Sequence, residues 1–441
     1  MTGLCVFDGG VGALADRLTV KRAEPPPAPA MASAPQLAMA KDADDVTVPP
    51  RAAPAISSDG ARGGWIEDVC VDGAVPSCKQ WAMDPFYAAV ASETAGKLGR
   101  AVRVSWYGDS VIATDAIPAR LRSQLQTELG DGGPGFIYAS APHRFCDHEV
   151  VTRTTHGDWR TYAISTTPVS DHIYGAGGST AETIAGTADL KLTSGKATQV
   201  ALYYLGQPRG GTAIVSADGA EVLRADTKAD PKQSRRAAAT VASGASRFKL
   251  ETKGRVRLFG IGLENSSGIT VDNFGIVSVN VKSFLNHDTA HLQTELVDRG
   301  ADLIMMMIGA NEAHWLGDSD RSAAQYQTNF EKVLTPIRSA RPDAACLVIS
   351  PTDQAEAGEH GFVSRAVMPK LVNAQRAAAR AAGCAFFSLY DWMGGKGSAV
   401  KWYKKGLIGS DFTHPSRKGA NKMADALFDA LIAGYRDHAP R

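Results

Sequence analysis

The sequence lacks any apolar stretch long enough to cross a bilayer as a helix, since runs such as residues 303–308 have only the length of a strand. It also lacks an excess of charge of either sign, because 47 Lys and Arg residues stand against 46 Asp and Glu residues without any basic cluster. Proteins that bind nucleic acid through its phosphates need such a cluster. We therefore expect no transmembrane segment and no nucleic-acid partner.

Cysteine is scarce as well, with six residues in the whole chain. Their spacing contains neither C-x-x-C nor the Cys/His spacing of a zinc site, so we expect no metal and no cofactor. Cys70 and Cys78 flank a short loop, which suits one local disulfide and indicates an oxidising compartment. Cys346 and Cys384 lie in apolar, strand-like runs, and we expect them to be buried free thiols.

The amino-terminal segment has the composition of a linker. Residues 24–60 are rich in Pro, Ala and Ser, which predicts disorder. Residues 1–18 do not show a basic stretch followed by a clean apolar stretch, so a secretory signal is not evident. A Pro-rich tether commonly follows an export signal or an anchor, and the route of export stays open at this point.

Hydrophobic periodicity changes twice along the rest of the chain. Residues 101–107 alternate as a strand would, and a tight turn and an amphipathic helix follow them. From about residue 191, short strand-like runs separated by turn signals predict an antiparallel β-sandwich. After about residue 267 an α/β rhythm returns, and the apolar run at 301–308 is typical of a parallel sheet covered on both faces.

These changes divide the chain into four predicted parts. Residues 1–63 form a disordered Pro/Ala-rich segment, and residues 64–160 form the first part of an α/β core. Residues 161–268 form an inserted β-sandwich, and residues 269–441 complete the core. We therefore predict an α/β fold whose parallel sheet is interrupted, after its first βα unit, by a β-rich insertion.

Ser110 lies directly after the first predicted strand of the core, in a Gly-Asp-Ser motif at residues 108–110. Open α/β sheets bind their ligands at the carboxyl ends of the strands. A serine at that edge has an exposed hydroxyl, and its backbone N–H near a helix start suits a developing oxyanion. Taken alone, however, this tripeptide is an ordinary turn in most proteins.

A histidine and an aspartate follow near the carboxy terminus, in the motif Asp-Phe-Thr-His at residues 411–414. A serine hydroxyl needs a base within hydrogen-bond reach, and His414 suits because an imidazole titrates near neutral pH. Asp411, three residues earlier, can bend back to the other ring nitrogen and orient it. The competing interpretation is a surface turn capped by Asp411, with a solvated His414.

Asn311 follows the apolar strand at residues 303–308, in a Gly-Ala-Asn-Glu motif. Its amide could donate to an oxyanion at the same edge, although an asparagine here could also satisfy its own loop. All three motifs adjoin a strand end or a helix start on one predicted edge of the sheet. This joint position favours a catalytic site over three unrelated turns.

The three motifs, in this order, resemble the signature blocks of the SGNH (GDSL-type) hydrolases. Residues 107–110, 130–136 and 394–398, together with Trp402, further resemble bacterial peptidoglycan O-acetylesterases. The resemblance covers roughly residues 64–437. It implies a three-layer α/β/α sandwich with a parallel sheet, into which a carbohydrate-binding-module-like jelly roll is inserted.

The resemblance also implies a function and the roles of single residues. Ser110 would be the nucleophile and first oxyanion donor, Asn311 a side-chain donor, His414 the base and Asp411 its orienter. The protein would then be a metal-independent serine esterase acting on a small acyl group, typically acetyl, of a polysaccharide or peptidoglycan. Such a substrate implies a periplasmic or secreted location.

The second signature block departs from the family pattern. Where the family reads close to Gly-Ile-Asn-Gly-Ala, this chain reads Gly-Ile-Val-Ser-Val at residues 275–279. Ser278 would then replace the glycine whose N–H binds the oxyanion, and Gly275 is the alternative donor. A serine still offers a backbone N–H if its backbone conformation tolerates a Cβ.

Two rival functions are compatible with the same residues. An acyltransferase would use the same triad with a sugar hydroxyl in place of water. A non-catalytic carbohydrate-binding protein would use the insertion alone. The intact triad and Asn311 favour an enzyme, whereas the serine at position 278 slightly favours a core that has lost its catalytic activity. The acyl group, the glycan and the oligomeric state are left open by the sequence.

Overall fold

The computed structural model describes residues 61–62, 65–75 and 77–438, and every structural statement below refers to them. The predictions of disorder over residues 1–63 and of no evident secretory signal therefore lie outside the described residues, apart from the short strand at Ala61–Arg62. No helix in this part of the chain is both long enough and apolar enough to cross a membrane.

Helices and strands alternate at both ends of the described chain and strands dominate its middle. The α-helices of this part are α1 Asp84–Thr94, α2 Ala116–Leu129, α3 Val281–Phe284, α4 Thr289–Arg299, α5 Asp320–Ala340, α6 Met368–Ala381, α7 Leu389–Trp392, α8 Ser398–Lys404 and α9 Arg417–His438. The strands are β1 Ala61–Arg62, β2 Ile66–Asp72, β3 Gln80–Trp81, β4 Val102–Gly108, β5 Gly135–Ile137, β6 Val151–His156, β7 Arg160–Ala163, β8 Ser179–Thr183, β9 Thr187–Leu192, β10 Ala197–Gly206, β11 Thr212–Ala217, β12 Ala220–Asp226, β13 Gln233–Ala245, β14 Arg247–Lys253, β15 Val256–Glu264, β16 Ile269–Gly275, β17 Leu303–Met307, β18 Ala345–Ile349, β19 Ala355–Gly358, β20 Gly361–Ser364 and β21 Ala385–Phe387.

The core sheet has the strand order β1-β2-β21-β18-β17-β4-β16, with β3 paired to β2. The five strands from β21 to β16 are parallel, and β2 runs antiparallel to β21 at the edge. Strands β17 and β18 are buried along their whole length. This burial is what a parallel sheet with helices on both faces requires.

The two faces of this sheet are covered by different helices. On one face α1, α2 and α9 pack residues such as Phe86, Leu121 and Leu427 against the sheet. On the other face α4, α5 and α6 contribute residues such as Phe330 and Leu371. The predicted three-layer α/β/α sandwich with a parallel sheet is therefore confirmed.

The middle of the chain forms two further antiparallel sheets. One has the order β13-β10-β15-β8-β7 with β5 paired to β15, and the other has the order β12-β11-β14-β9-β6. Apolar side chains from both sheets, among them Leu202 and Leu250, form a shared core. This is the predicted inserted β-sandwich. Its strands begin at Gly135 and Val151, ahead of residue 161, and end at Glu264.

The outer face of the six-stranded sheet packs against the α/β core. Phe136 of β5 and Tyr203 of β10 belong to one apolar cluster together with Phe274 of β16 and Leu296 of α4. Tyr204, the next residue after Tyr203, points to the opposite face and lies in the core of the sandwich. Both neighbouring tyrosines are buried because both faces of this sheet are covered.

A buried group of charges joins the sandwich to the core, and we call it the Arg299 cluster: Arg103, Glu264, Asp272 and Arg299. The Arg299 guanidinium donates to both carboxylate oxygens of Asp272 at 2.7 Å and to Glu264 at 2.5 Å. Arg103 also donates to Glu264, at 2.7 Å. Burial by itself would raise the pKa of Glu264, but the two arginines outweigh this effect and lower the pKa to about 2. Charges this deeply buried are tolerated only when they are paired.

Two disulfides lie in the described chain, and one of them corrects the sequence analysis. The predicted bond between Cys70 and Cys78 is confirmed. Cys346 and Cys384, which we expected to be free thiols, are bonded to each other. The reason is the pairing of β18 with β21, in which Leu347 lies opposite Ala385. Cys346 and Cys384 directly precede these two residues, and their Cα atoms are 4.7 Å apart. The free cysteine of this part is Cys146.

The Arg299 cluster leads to a prediction on stability. Arg299→Met should lower the free energy of unfolding in urea by about 3–5 kcal/mol, because Asp272 stays buried without its arginine and Glu264 keeps only Arg103. Arg224→Met is the matched control. It removes a pair with Glu221 whose side chains are 53% and 46% exposed, and should change stability by less than about 1 kcal/mol. Equal effects of the two substitutions would contradict the structural role of the cluster.

Candidate active site

Three neighbouring parallel strands end at the same edge of the core sheet. Gly108 of β4 lies opposite Gly275 of β16 on one side and opposite Met307 of β17 on the other. Just beyond the strands, the Ile276 N–H donates to the Gly108 carbonyl at 3.1 Å and the Asp109 N–H to the Met307 carbonyl at 3.3 Å. The segments that contain Ser110, Ser278 and Asn311 therefore leave the sheet side by side.

The turn after β4 requires glycine at position 108. A Cβ there would lie 2.6 Å from the Ile112 side chain and 2.9 Å from the Met307 carbonyl oxygen. Asp109 then turns its buried carboxylate back to accept the N–H of Val111 at 3.0 Å and of Ala310 at 3.3 Å. These bonds hold the Ser110 turn and the segment before Asn311 together. The Gly-Asp-Ser motif was the signal for this role of Asp109, which the sequence analysis did not assign.

Ser110, His414 and Asp411 form one hydrogen-bonded chain. His414 Nε2 lies 2.8 Å from Ser110 Oγ, and His414 Nδ1 lies 2.7 Å from Asp411 Oδ2. The other carboxylate oxygen of Asp411 accepts the backbone N–H groups of Thr413 and His414, both at 3.0 Å. The structure thus brings together three residues that the sequence separates by up to 304 positions.

The loop that presents His414 is anchored by Phe412. This side chain is buried and lies with its ring centroid 4.6 Å from that of Phe362 and 5.0 Å from that of Tyr403. Its backbone has a positive φ of 54°, which is uncommon for a residue with a Cβ. The Gly409 N–H closes the loop by donating to the His414 carbonyl at 2.8 Å. The short spacing between Asp411 and His414 is therefore held in a tight, supported turn.

The two ionisable partners shift each other's pKa in the expected directions. Partial burial raises the pKa of Asp411, but the hydrogen bonds from the His414 ring and from the Thr413 and His414 backbone outweigh it and hold this pKa well below its usual range. The hydrogen bond to Asp411 raises the pKa of His414, and partial burial opposes that rise. Asp411 is therefore a carboxylate at neutral pH.

The four predicted oxyanion donors differ in whether their N–H groups are free. Among the described residues, the backbone N–H groups of Ser110 and Ser278 have no hydrogen-bond partner. The Gly275 N–H, in contrast, donates to the Asn273 side chain at 2.9 Å. The Asn311 amide donates one N–H to the Val279 carbonyl at 2.8 Å and retains a second. The structure thus distinguishes Ser278 from Gly275, which the sequence could not.

Ser278 has the backbone conformation of a glycine. Its φ is +62°, in the left-handed region that costs a residue with a Cβ roughly 1–2 kcal/mol. The turn is supported from below by Asn311, which binds the Val279 carbonyl, and by Asn280, whose amide donates to the Ser278 carbonyl at 3.2 Å. Ser278 therefore has the left-handed backbone conformation that a glycine at this position of the family pattern would adopt.

Glu312 is a residue near this site that the sequence analysis did not assign. It is fully buried, and its carboxylate accepts the Val281 N–H at 2.7 Å. Burial raises its pKa to about 7. Together with the bond from Asn311 to Val279, it ties the Ser278 turn to the Asn311 segment. The only sequence signal was its place directly after Asn311.

No metal centre is formed by the residues that the structure covers. Within residues 61–62, 65–75 and 77–438, no group of three or more His, Cys, Asp or Glu side chains is arranged to hold a metal ion. The carboxylates nearest the triad serve other bonds: Asp109 accepts backbone N–H groups, and Glu312 accepts the Val281 N–H.

Comparison with known proteins gives matches of two kinds. The profile of the GDSL-like Lipase/Acylhydrolase family matches residues 243–422. A solved structure of a peptidoglycan O-acetylesterase is similar with a TM-score of 0.69 and 25% sequence identity, over 80% of this chain and 96% of that chain. An acetylxylan esterase from Geobacillus stearothermophilus matches with a TM-score of 0.27 and 17% identity, over 37% of this chain and 73% of that chain. No curated protein sequence matches.

The first two matches complement each other along the chain. The family profile includes Ser278, Asn311, Asp411 and His414 but begins after Ser110. The likeness to the O-acetylesterase extends over most of the chain. The β4 register places the Ser110 segment beside those of Ser278 and Asn311, and the His414 ring bonds to Ser110. Together the two matches support the assignment of the chain to the SGNH (GDSL-type) hydrolases, as a carboxylic ester hydrolase.

Proposed function

We propose that this esterase removes small acyl groups, acetyl in particular, from a polysaccharide or from peptidoglycan. The observation that carries the proposal is the continuous hydrogen-bonded chain from Asp411 through His414 to Ser110. The substrate class is supported by the similarity, over 80% of this chain, to a peptidoglycan O-acetylesterase.

Ser110 Oγ attacks the ester carbonyl and transfers its proton to His414 Nε2, which lies 2.8 Å away. Asp411 stabilises the imidazolium that forms, because it is a carboxylate bound to the other ring nitrogen. The charge on the carbonyl oxygen is held by the N–H groups of Ser110 and Ser278 and by the second N–H of the Asn311 amide. His414 then returns the proton to the departing sugar oxygen, which leaves an acyl-serine.

The second half of the reaction repeats these steps with water. His414 takes a proton from a water molecule that attacks the acyl-serine, and the same three donors hold the new oxyanion. Collapse releases the carboxylic acid and restores the Ser110 hydroxyl with the proton from His414. No step needs a metal ion or a cofactor.

We further infer a glycan-positioning role for the inserted β-sandwich. Its sheet packs on the core next to the site, since Phe136 and Phe274 share a cluster. The Ser165 hydroxyl, in a loop of this insertion, donates to the Val277 carbonyl at 2.7 Å, one residue before Ser278. A module in this place can hold a polymeric substrate near the Ser278 turn.

We also infer that the protein works in a periplasmic or extracellular compartment. Two disulfides, Cys70–Cys78 and Cys346–Cys384, support this location, because such bonds persist mainly in oxidising compartments. Cell-wall and extracellular glycans are found in these same compartments.

The first prediction concerns the nucleophile and its base. Ser110→Ala and His414→Ala should each lower kcat on a chromogenic acetyl ester by at least about 10⁴-fold, because members of a triad act as a unit. Asp411→Asn should cost less, since the nucleophile remains. Ser123→Ala, an exposed serine on α2, is the control and should keep wild-type rates. Retained activity in purified Ser110→Ala would exclude this mechanism.

The second prediction concerns the oxyanion donors. Asn311→Ala should raise the barrier by about 2.7–4 kcal/mol, which lowers kcat by hundreds-fold with little change in KM. Ser278→Gly should retain or raise kcat, because the N–H remains and the residue at φ +62° loses its Cβ. Steady-state kinetics on the same ester measure both. A loss in Ser278→Gly as large as in Asn311→Ala would show that the serine side chain, not its N–H, matters.

The third prediction concerns pH. His414 accepts a proton only when neutral, so kcat/KM should fall as pH drops through its pKa, which Asp411 holds above the ordinary value of 6.5. Asp411→Asn removes the largest cause of that rise and should move the acidic limb of the pH profile to lower pH. Asp425→Asn removes a half-exposed carboxylate of α9 that pairs with Arg120 of α2; it is the charge-matched control and should leave the limb in place. An unmoved limb in Asp411→Asn would contradict the coupling.

A further inference from the structure

A groove of about 430 Å³ lies on the side of the core formed by α3 and α5. We call it the Trp315 groove. The side chains that face it and can bind a ligand are Lys282, Trp315, Arg321, Ser322, Gln325 and Asn329. None of these residues has a role in the mechanism above.

Two of the residues that line the groove, Lys282 and Trp315, lie in the chain shortly after the proposed oxyanion donors. Lys282 comes four residues after Ser278, and Trp315 comes four residues after Asn311. The segments that contain these two residues are hydrogen-bonded to each other: the Asn311 amide donates to the Val279 carbonyl, and the Val281 N–H donates to the Glu312 carboxylate. Hydrogen bonds thus connect the groove to the segments that contain Ser278 and Asn311.

Trp315 offers a flat surface to that ligand. Its side chain is 49% exposed. The Lys282 ammonium lies over one face of its ring, 4.8 Å from the centre, and leaves the other face to a ligand. An exposed tryptophan next to polar groups is typical of binding sites. The apolar C–H face of a sugar ring can pack on the indole while its hydroxyl groups reach Gln325 and Asn329.

The charge of the groove is positive. Within the described chain, neither Lys282 nor Arg321 forms an ion pair with a carboxylate, and no acidic residue lines the groove. The nearby Asp318 and Asp320 share the Lys370 ammonium, at 3.3 and 3.2 Å, so these three side chains together carry one negative charge against the two positive charges in the groove. Since the whole chain has a formal net charge of only +1, this local excess favours an anionic ligand.

We propose that the Trp315 groove binds a carboxylate-bearing sugar of the glycan whose ester is cleaved at Ser110. The sugar ring packs on Trp315, and its carboxylate faces Lys282 and Arg321. This proposal rests on the proposed esterase function and narrows its substrate class to acidic glycans. Uronic acids in polysaccharides carry such a carboxylate, and so do the lactyl-bearing sugars of peptidoglycan that carry no stem peptide, whereas acetylated xylan without uronate side groups does not.

The test compares four acetyl esters: acetylated peptidoglycan, an acetylated uronate polysaccharide, acetylated uronate-free xylan and a small chromogenic ester. In Lys282→Gln/Arg321→Gln and in Trp315→Ala, the ratio of kcat/KM on an acidic glycan to that on the small ester should fall about tenfold, as expected for the loss of charge-assisted contacts. Trp315→Phe should restore most of the ratio. Added salt should reduce the ratio in the wild type but not in the double variant.

The matched control is Lys79→Gln/Lys97→Gln, which removes two exposed cations of the α/β core outside both the groove and the inserted sandwich. It should keep the wild-type ratio. A loss on peptidoglycan alone would assign the groove to that polymer, and a loss on both acidic glycans would assign it to sugar carboxylates in general. An unchanged ratio in the groove variants, or an equal loss on xylan, would overturn the proposal.

A binding assay separates this proposal from the proposed function. Ser110→Ala should sediment with insoluble peptidoglycan more than with xylan, and the groove substitutions added to it should abolish the difference. If wild-type protein cleaved the small ester while the groove variants bound and cleaved acidic glycans normally, only the groove proposal would fail. If wild-type protein cleaved none of the four esters, the proposed function would fail, and with it the proposal.

Discussion

The active site depends on the hydrogen-bonded register of three parallel strands. Pairing of Gly108 with Gly275 and with Met307 makes β16, β4 and β17 end at one level. Because successive peptide groups in these strands are bonded to fixed partners, the loops that follow cannot slide relative to one another. Ser110, Ser278 and Asn311 are therefore placed by backbone bonds before any side chain contributes.

The pairing of β4 with β16 is kept although the sandwich is inserted between them in the chain, and the Arg299 cluster explains why. The sandwich lies between β4 and β16 in the chain, yet the two strands pair along seven residues. Arg103 and Asp272 belong to these strands, whereas Glu264 ends the last strand of the sandwich and Arg299 ends α4. Paired charges inside the protein allow one arrangement and penalise others, because any unpaired member would stay buried. The cluster thus links the sandwich to the body of the sheet, away from the strand ends that carry the site.

Local strain and buried carboxylates concentrate around the active site. Ser278 and Phe412 both have positive φ, and the buried Asp109 and Glu312 have pKa values raised to about 6 and about 7. Each of these features costs stability where it occurs, and the surrounding packing and hydrogen bonds hold it in place. In return, the Ser278 turn presents a free N–H, and the two carboxylates bind backbone N–H groups of neighbouring loops. Placement of these loops, rather than stability, accounts for these residues.

Much of this protein could be predicted from the sequence because it depends on local patterns. Period-two and helical patterns in the chain predicted the α/β core and the β-rich insertion, and the motifs around Ser110, Asn311 and His414 predicted one shared edge. The bond between Cys70 and Cys78 followed from their short spacing. Each of these features is encoded within a few neighbouring residues.

Only the tertiary structure decided the features that depend on contacts between distant segments. The Cys346–Cys384 bond follows from the pairing of β18 with β21, and the two apolar runs by themselves do not indicate that pairing. The difference between the free N–H of Ser278 and the bonded N–H of Gly275 follows from the Asn273 side chain, which accepts the Gly275 N–H. The Trp315 groove exists because α3 and α5 lie side by side. Sequence patterns determine which elements form, whereas long-range packing and hydrogen bonding decide which side chains meet.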